Sequence, residues 1–317
     1  MRQEFTDLDD YGDAVHHARV ELCMFRPEYH RWSMSQHPLG PLLLQLGAAG
    51  GGNICRGESR ADNPILFLPL SNPSIAAANG TQFDGRNAML LPPGAEFFLS
   101  HKAAHAWCSL SFPAALWPDS PEEVEGEPAS APLATCAVRS CAPDRIAELA
   151  RLAVEYDRIE TTDPDRLAHP AARQQATADF QHALERLLAT VISREPPHRG
   201  RPLQDRRAVM IRLHAELEAS ARQPLTAPEL AQRVGIAERT LRQICRETLG
   251  VGPTRYLNLR QLRNARHQLR DRRNPAQSVT EILSSLGIWQ FGRFAGEYRR
   301  VYGELPSQTF REARRYY

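Results

Sequence analysis

The chain has 317 residues, 42% of them hydrophobic and 24% charged, with a formal net charge of +2, which predicts two globular domains and excludes an intrinsically disordered protein. No apolar run approaches the ~20 residues of a membrane-spanning helix, which excludes a membrane as partner. The polar, acidic segment Met1 to Asp13 is unlike a signal peptide, so we expect a cytoplasmic protein.

Residues 1–120 are predicted to be mainly β-structure. Short apolar runs alternate with turn-forming residues, and short strands at regular turn spacing favour a small barrel or sandwich. The runs include Leu42–Leu44, Ile65–Leu68 and Met89–Leu91, and the predicted breakers include Gly50–Gly52, Asn72-Pro73, Asn79-Gly80, Asp84-Gly85 and Pro92–Gly94. The acidic, proline-rich segment 117–135 is predicted to be a mobile excursion.

Two helices are predicted after the β-rich part. Apolar residues at helical spacing mark the first at Ile146–Tyr156 and the second at Phe180–Ile192. The second stripe is expected either to pack in the core alone or to form a dimer seam as well, and we expect a homodimer. A Pro- and Arg-rich linker follows, so we predict a first domain over 1–193, a linker over 194–205 and a second domain over 206–317.

Six cysteines are spread along the chain without the spacing of metal ligands. No Cys-x-x-Cys pair occurs, and Cys136 and Cys141 have no second pair to complete a metal site. We therefore interpret all six as reduced, buried thiols and expect no disulfide framework, metal or other cofactor.

The charge is distributed very unevenly between the two predicted domains. Residues 201–317 contain 22 Arg, no Lys and 11 acidic side chains, a net charge of +11, whereas residues 1–200 carry a net charge of −9. A basic module joined to an acidic one is typical of a nucleic-acid binder with a second task, although a solvated basic helical surface would show the same asymmetry.

A capped pair of short helices occurs twice in the basic part, at about 226–249 and 278–302. Each copy opens with a Ser/Thr-x-x-Glu capping box, and its first helix ends at a Gly that can adopt the left-handed conformation. The matching positions are Thr226, Glu229, Gly235, Gly250 and Pro253 in the first copy and Ser278, Glu281, Gly287, Gly303 and Pro306 in the second. This pattern predicts two helix-turn-helix units, whose second helices enter the DNA major groove.

A long helix over 254–271 is predicted between the two copies, with a helix at 206–220 before them and another after Pro306. The long helix would hold the copies about one DNA turn, ~34 Å, apart, so that they reach adjacent major grooves. It carries arginines that we expect partly to touch phosphates and partly to pair with acidic residues: Arg255, Arg260, Arg263, Arg266, Arg270, Arg272 and Arg273.

The second helix of each copy has an apolar face and, opposite to it, a polar face rich in arginine. Arg pairs bidentately with guanine and Gln with adenine, whereas Glu accepts from cytosine or orients a neighbouring Arg. The predicted DNA-binding residues are Arg239, Arg242, Gln243 and Arg246 in the first copy and Gln290, Arg293, Glu297, Arg299 and Arg300 in the second. Each alone could be a solvated surface residue, but the repeated face favours DNA. Trp289, which opens the second helix, could wedge onto the DNA backbone but is expected rather to pack against the preceding turn.

Residues 206–314 resemble the AraC/XylS family of transcription regulators, and most closely its XylS branch. The resemblance rests on Leu230-Ala231, Gly235-Ile236, Arg239–Leu241, the segment from Gly287 to Pro306, and Phe310-Arg311. It implies an α+β protein in which a cupin-like effector-sensing or dimerising domain with flanking helices precedes an all-α DNA-binding domain. It also implies double-stranded promoter DNA and RNA polymerase as partners, an aromatic or carboxylate effector, and activation of transcription without catalysis.

Three positions depart from the pattern of that family. Ala237 replaces a helix-capping Ser, which costs about 1 kcal/mol of helix stability. Cys245 replaces a core Phe, and Gly296 replaces an Arg of the second recognition helix. These differences affect the base readout rather than the expected fold.

Two other functions compete with a ligand-controlled regulator. In one, the N-terminal domain only dimerises; in the other, the chain is a metal-dependent cupin enzyme. The enzyme is disfavoured because His101 and His105, four residues apart, do not suit adjacent ligands on one strand face. If the domain has a pocket, an aromatic acid would need cationic and aromatic side chains. The effector-binding candidates are Arg31, Trp32, His37, Arg56 and Trp107.

Overall fold

The protein combines a near-closed antiparallel β-barrel with helices, as the predicted α+β class requires. The computed structural model describes residues 2–60, 62–117, 136–191, 206–220, 225–274, 276 and 278–315. The predicted linker 194–205 lies outside these residues, and so does nearly all of the predicted excursion 117–135. Among the helices described, none is both long and apolar enough to cross a membrane.

The barrel is built from strands that all pair antiparallel. They are β1 (Arg2–Phe5), β2 (Ala18–Leu39), β3 (Leu42–Ser59), β4 (Ile65–Pro69), β5 (Ala76–Ala78), β6 (Thr81–Gln82), β7 (Asn87–Leu91), β8 (Glu96–His101), β9 (His105–Ser111) and β10 (Ala137–Ser140). The pairing order is β10-β7-β4-β9-β3-β8-β5-β6, and β2 joins β3 to β1. A short helix α1 (Leu8–Asp13) connects β1 to β2.

A long hairpin, β2–β3, serves both halves of the barrel. The first half of β3 pairs with β9 and the second half with β8. Gly50–Gly52, predicted as a breaker, lies inside β3, so that prediction was wrong. The reason is an irregularity in β2 opposite these residues: a Cβ on Gly51 would lie 2.4 Å from the carbonyl oxygen of Arg26. Glycine allows the two backbones to approach this closely without ending the strand.

Gly51→Ala is expected to destabilise the barrel by about 1–3 kcal/mol. The three atoms nearest to the new methyl group would be backbone atoms of Arg26, Pro27 and Glu28. Backbone atoms cannot move aside by a side-chain rotation. Urea unfolding followed by circular dichroism would measure the change. Gly292→Ala is the control, because nothing lies within 4 Å of a Cβ at that position. Equal unfolding midpoints for both variants would contradict the close approach.

The barrel wall is buried on both of its faces. Ile65 and Phe67 of β4 point into the barrel interior, whereas Leu66 and Leu68 belong to a second cluster between the wall and three helices. This double burial explains why these strands are continuous apolar runs rather than alternating ones. The three helices are α2 (Pro143–Thr162), α3 (Pro164–Ala168) and α4 (Pro170–Leu188).

The apolar stripe of α4 packs inside the chain. Phe180, Leu184 and Leu187 are fully buried in the cluster between α2, α4 and the barrel wall. The predicted core role is therefore confirmed for these residues, and the dimer seam stays a prediction.

The C-terminal domain is helical throughout its described residues. Its elements are α5 (Arg206–Ala219), α6 (Ala227–Val234), α7 (Glu238–Leu249), α8 (Pro253–Arg270), α9 (Val279–Ser285), α10 (Phe291–Tyr302) and α11 (Pro306–Ala313). Their bounds agree with the predicted helices to within about two residues. Thr226 and Glu229 form the complete predicted capping box, and the hydroxyl of Ser278 accepts from the Glu281 amide at 3.1 Å. Both turn glycines are left-handed, with φ of 74° at Gly235 and 69° at Gly287.

Arginine–carboxylate pairs join helix α8 of the second domain to the start of α1 in the first domain. The Arg266 guanidinium contacts the carboxylates of Asp7 and Asp9, and Arg270 contacts Asp7 at 2.6 Å and Asp10 at 2.9 Å. The apolar cluster of the barrel interior also continues into the helical domain. The barrel and the long helix are thus held together by both packing and charge.

The ion pairs of Asp7 with Arg266 and Arg270 predict that the protein loses stability in acid. Burial would raise the pKa of the Asp7 carboxyl, but the charges of Arg266 and Arg270 outweigh it and hold this pKa below the usual range. The stabilisation is therefore fully present above the unfolded-state pKa of about 4 and is lost as the pH falls further. Urea midpoints between pH 7 and pH 3 should fall less steeply for Asp7→Asn than for the unchanged chain. Asp13→Asn, an exposed carboxyl on the same helix, is the control and should follow the unchanged chain.

Candidate nucleic-acid interface and ligand cavity

Helix α7 places its polar face in solvent, as predicted. Leu241, Ile244 and Leu249 are buried against the domain core. The four residues predicted to contact DNA are exposed on the other side of the helix: Arg239, Arg242, Gln243 and Arg246. The contacts that the structure gives this face are local ones within α7, from Arg242 to Glu238 at 2.6 Å and from Gln243 to Glu247 at 3.0 Å. Such exposed contacts are weak and readily exchanged for contacts to DNA.

Helix α10 repeats this arrangement in the second unit. Phe294, Tyr298 and Val301 are buried, and Tyr298 is fully enclosed. The exposed polar residues are Gln290, Arg293, Arg299 and Arg300. The structure therefore brings eight of the nine predicted DNA-binding residues onto exposed faces of two matched helices.

Glu297 is placed differently from the other predicted DNA-binding residues. It is partly buried, and it accepts hydrogen bonds from Arg255 of α8 and from Arg300, whose Nε lies 3.1 Å away. The hydrogen bond from Arg300, opposed by burial and assisted by Arg255, holds the pKa of Glu297 below its usual range. Glu297 therefore corresponds to the second predicted role, the orientation of a neighbouring arginine.

Trp289 contradicts its prediction. Its side chain is 71% exposed rather than packed against the preceding turn. It lies directly before α10 and beside Gln290, on the edge of the polar face. An exposed tryptophan beside this face adds an apolar group to an otherwise polar interface.

The five predicted arginines that lie within α8 all pair with carboxylates of the chain, so the phosphate contacts stay a prediction for Arg272 and Arg273. Arg260 and Arg266 are buried, and Arg263 contacts Glu21 of β2 at 2.6 Å. These side chains are engaged within the chain because α8 lies between the barrel and the two helix-turn-helix units. Arg272 and Arg273, just beyond α8, are exposed. The expectation that other arginines of this helix pair with acidic residues is confirmed.

The barrel encloses an apolar cavity of about 70 Å³. Aromatic and aliphatic side chains form most of its wall, among them Phe67, Phe97 and Leu99. At one side the indole N–H of Trp107 donates to the hydroxyl of Tyr11 at 2.9 Å, which closes the cavity with a residue of α1. A pocket in this domain, on which the effector-binding candidates depend, is thus present as a cavity inside the barrel.

The stacked rings of His101 and His105 form a polar corner of this cavity. Their centroids are 3.6 Å apart and their planes are parallel to within 1°. His101 ends β8 and His105 begins β9, and these two strands pair one after the other along β3, so the short connection between them brings the two rings together. The described part of the chain contains no group of three or more His, Cys, Asp and Glu that could hold a metal ion.

Of the five effector-binding candidates, Trp107 alone lines the cavity. The predictions for the other four were wrong for the cavity, because these side chains point away from the barrel interior or are engaged elsewhere. Arg31 is exposed and shares a separate surface groove with Trp32. His37 contacts Asp157 of α2 at 2.8 Å, and Arg56 contacts Glu96 at 3.1 Å. Among the residues that the structure describes, no Arg or Lys borders the cavity.

Sequence reasoning missed Tyr11, Asn53 and His101 as cavity residues. Strands buried on both faces carry no alternation that tells the inner residues from the outer ones. It also missed the acidic segment at Asp7–Asp10 as the partner of α8. The clustering of carboxylates there was visible in the sequence and pointed to a cationic partner.

A helix-turn-helix domain model matches residues 230–312. The "Probable thc operon regulatory protein" of Rhodococcus erythropolis is 35% identical over 124 residues, 38% of this chain and 37% of that protein. The "XylDLEGF operon transcriptional activator" of Pseudomonas putida is 28% identical over 146 residues, 46% of this chain and 44% of that protein. Over its helix-turn-helix part the helical domain is thus similar to XylS-type operon activators, in line with the resemblance to the AraC/XylS family.

The chain spans about two fifths of the length of these curated relatives. Among solved structures, the AraC-like transcriptional activator CuxR is 17% identical with a TM-score of 0.41, covering 84% of this chain and 95% of that one. So loose a superposition transfers no property to this protein. The similarity to AraC/XylS-type regulators therefore rests on the helical domain and its two helix-turn-helix units.

Two departures from the AraC/XylS pattern are visible in the structure. Ala237 occupies the N-cap of α7 and has no side chain that could accept from the first amides of the helix. Cys245 is fully buried in the core of the first unit. Neither change prevents α7 from forming over its predicted length.

Proposed function

We propose that this protein is a sequence-specific DNA-binding regulator of transcription, and an activator, controlled by a small molecule bound in its barrel. The observation that carries the proposal is the pair of matched helix-turn-helix units, whose second helices expose arginine-rich faces. Double-stranded promoter DNA, RNA polymerase and a second copy of the chain are the proposed partners. The proposed layout is a sensing and dimerising domain over 1–193, a linker over 194–205 and a DNA-binding domain over 206–317.

The domain contact supports the proposed control. Tyr11, which closes the cavity, belongs to α1, and the carboxylates at the start of α1 hold Arg266 and Arg270 of α8. A ligand that shifts α1 would therefore change the hold on the helix between the two DNA-reading units. Such a ligand must bind with different affinity to the arrangement in which α1 is paired with α8 and to the arrangement in which these pairs are broken.

Selection of genomic fragments by the purified full-length protein, at two salt concentrations, tests the DNA-binding part of this proposal. We expect enrichment of a few promoter fragments that carry paired half-sites about one helical turn apart. Their binding should weaken steeply at the higher salt concentration, because phosphate contacts release counterions. Uniform binding without an enriched fragment, with and without cell extract as a source of effector, would refute sequence-specific regulation.

A further inference from the structure

One of the two rings in the polar corner of the barrel cavity, that of His101, lacks hydrogen-bond partners in the described part of the chain. His101 is 2% exposed, and neither of its ring nitrogens has a hydrogen-bond partner in the described part of the chain. Buried polar groups are nearly always paired, and an orphaned one is destabilising. Because this ring borders the cavity, a molecule bound there would satisfy it.

The corner is also uncharged. Burial, and next the neighbouring His105, hold the pKa of His101 well below its usual range. Burial likewise lowers the pKa of His105 to about 4. Both rings are therefore neutral near pH 7, and the described lining of the cavity contains no Arg or Lys. A carboxylate would lose its hydration here without gaining a cationic partner, which is strongly unfavourable.

The chemistry of the corner selects a hydroxyl group. A neutral imidazole offers one N–H donor and one nitrogen acceptor, and a hydroxyl group both donates and accepts. The amide side chain of Asn53, buried and bordering the same cavity, adds a second donor and acceptor. A cavity of about 70 Å³, compared with the roughly 150 Å³ that takes up benzene, limits the ligand to one small ring at most.

We propose that the barrel cavity binds a small, uncharged, mainly apolar molecule with one hydroxyl group, a phenol or a one-ring alcohol, whose hydroxyl bonds to His101. This inference rests on the proposed role of the barrel as the sensing domain. It replaces the carboxylate effector expected from the sequence, because the cationic candidates Arg31 and Arg56 lie outside the cavity.

Isothermal titration of the full-length protein without DNA tests the proposal. The probes are p-cresol, toluene and p-toluate, which share a methylated ring and differ in the group that would meet His101. We expect p-cresol to bind about tenfold more tightly than toluene, as one added hydrogen bond implies. We expect p-toluate to bind more weakly than either. This comparison uses the unchanged chain, so it does not depend on the folding of a variant.

A matched pair of variants identifies the hydrogen-bonding ring. His101→Leu should reduce the affinity for p-cresol to that for toluene and leave the affinity for toluene unchanged. His182→Leu, on an exposed position of α4, should leave both affinities unchanged. An unchanged preference for p-cresol in a folded His101→Leu protein would overturn the assignment of His101.

Two other results would overturn the ligand class. One is p-toluate binding as tightly as p-cresol, and the other is millimolar p-cresol giving no binding heat. Neither result affects the enrichment of promoter fragments, which tests DNA binding separately. Conversely, tight p-cresol binding without any enriched fragment would support the ligand class and refute the regulatory role.

Discussion

Replacement of Arg266 by Ala should lower the free energy of unfolding by about 3–5 kcal/mol. The guanidinium is buried in α8 and contacts three carboxylates, of Asp7, Asp9 and Glu304. Without it, these carboxylates would lose their buried cation, and the half-exposed Arg270 would remain as the partner of Asp7 and Asp9. Urea unfolding of the full-length protein at neutral pH, followed by far-ultraviolet circular dichroism, would measure the change.

The effect should be specific to the guanidinium group. Arg266 also donates to the hydroxyl of Tyr298 at 3.1 Å, and its guanidinium lies 4.5 Å from the ring centroid of Tyr302. Lysine keeps the charge but not this planar fork of donors. Arg266→Lys should therefore restore only part of the lost stability.

Arg273→Ala is the matched control for this experiment. Arg273 is exposed just beyond the end of α8, and exposed substitutions of this kind usually change stability by less than ~0.5 kcal/mol. If Arg266→Ala and Arg273→Ala unfolded at the same urea concentration, the pairs between α1 and α8 would contribute nothing to the folded state.

The helical domain could be predicted from the sequence nearly to the residue because its signals are local. Capping residues such as Thr226 and left-handed glycines such as Gly235 mark helix ends without reference to the rest of the chain. The barrel could not be predicted so well. Gly50–Gly52 has the composition of a turn, and its place inside β3 depends on the backbone of β2, about twenty residues earlier in the chain.

The two parts of the candidate site differ in the same way. The exposed face of α7 follows from helical periodicity alone, so the exposure of Arg239 and Arg246 could be predicted. The inner face of a strand that is buried on both sides has no such signature, and chemical suitability selected Arg31 and His37 instead. His101 was considered only as a metal ligand, because its stacking on His105 depends on the connection from β8 to β9 along β3.

Replacement of Arg242 by Ala is expected to relax base preference at one position of the operator. It should weaken binding to the preferred site by about 1–3 kcal/mol, or about 5- to 150-fold. The side chain is exposed in the middle of α7, and its partner in the structure is Glu238, one turn away on the same helix. Selection from randomised duplexes, with the unchanged and variant chains in parallel, would reveal both effects.

Arg158→Ala provides a closely matched control. Arg158 is 58% exposed and pairs with Glu155 within α2, much as Arg242 is 53% exposed and pairs with Glu238 within α7. The two substitutions remove the same charge and the same kind of local ion pair, one beside the barrel and one on the proposed DNA face. We therefore expect Arg158→Ala to leave affinity and base preference unchanged.

The selected sequences distinguish a base contact from a phosphate contact. A base contact is lost at one position, so Arg242→Ala should flatten the preference there and retain it elsewhere. A phosphate contact is lost equally on every sequence and reduces the salt dependence of binding. Uniform weakening across all selected duplexes would therefore show that Arg242 contacts the backbone, and base reading by α7 would have to be assigned to Arg239, Gln243 or Arg246.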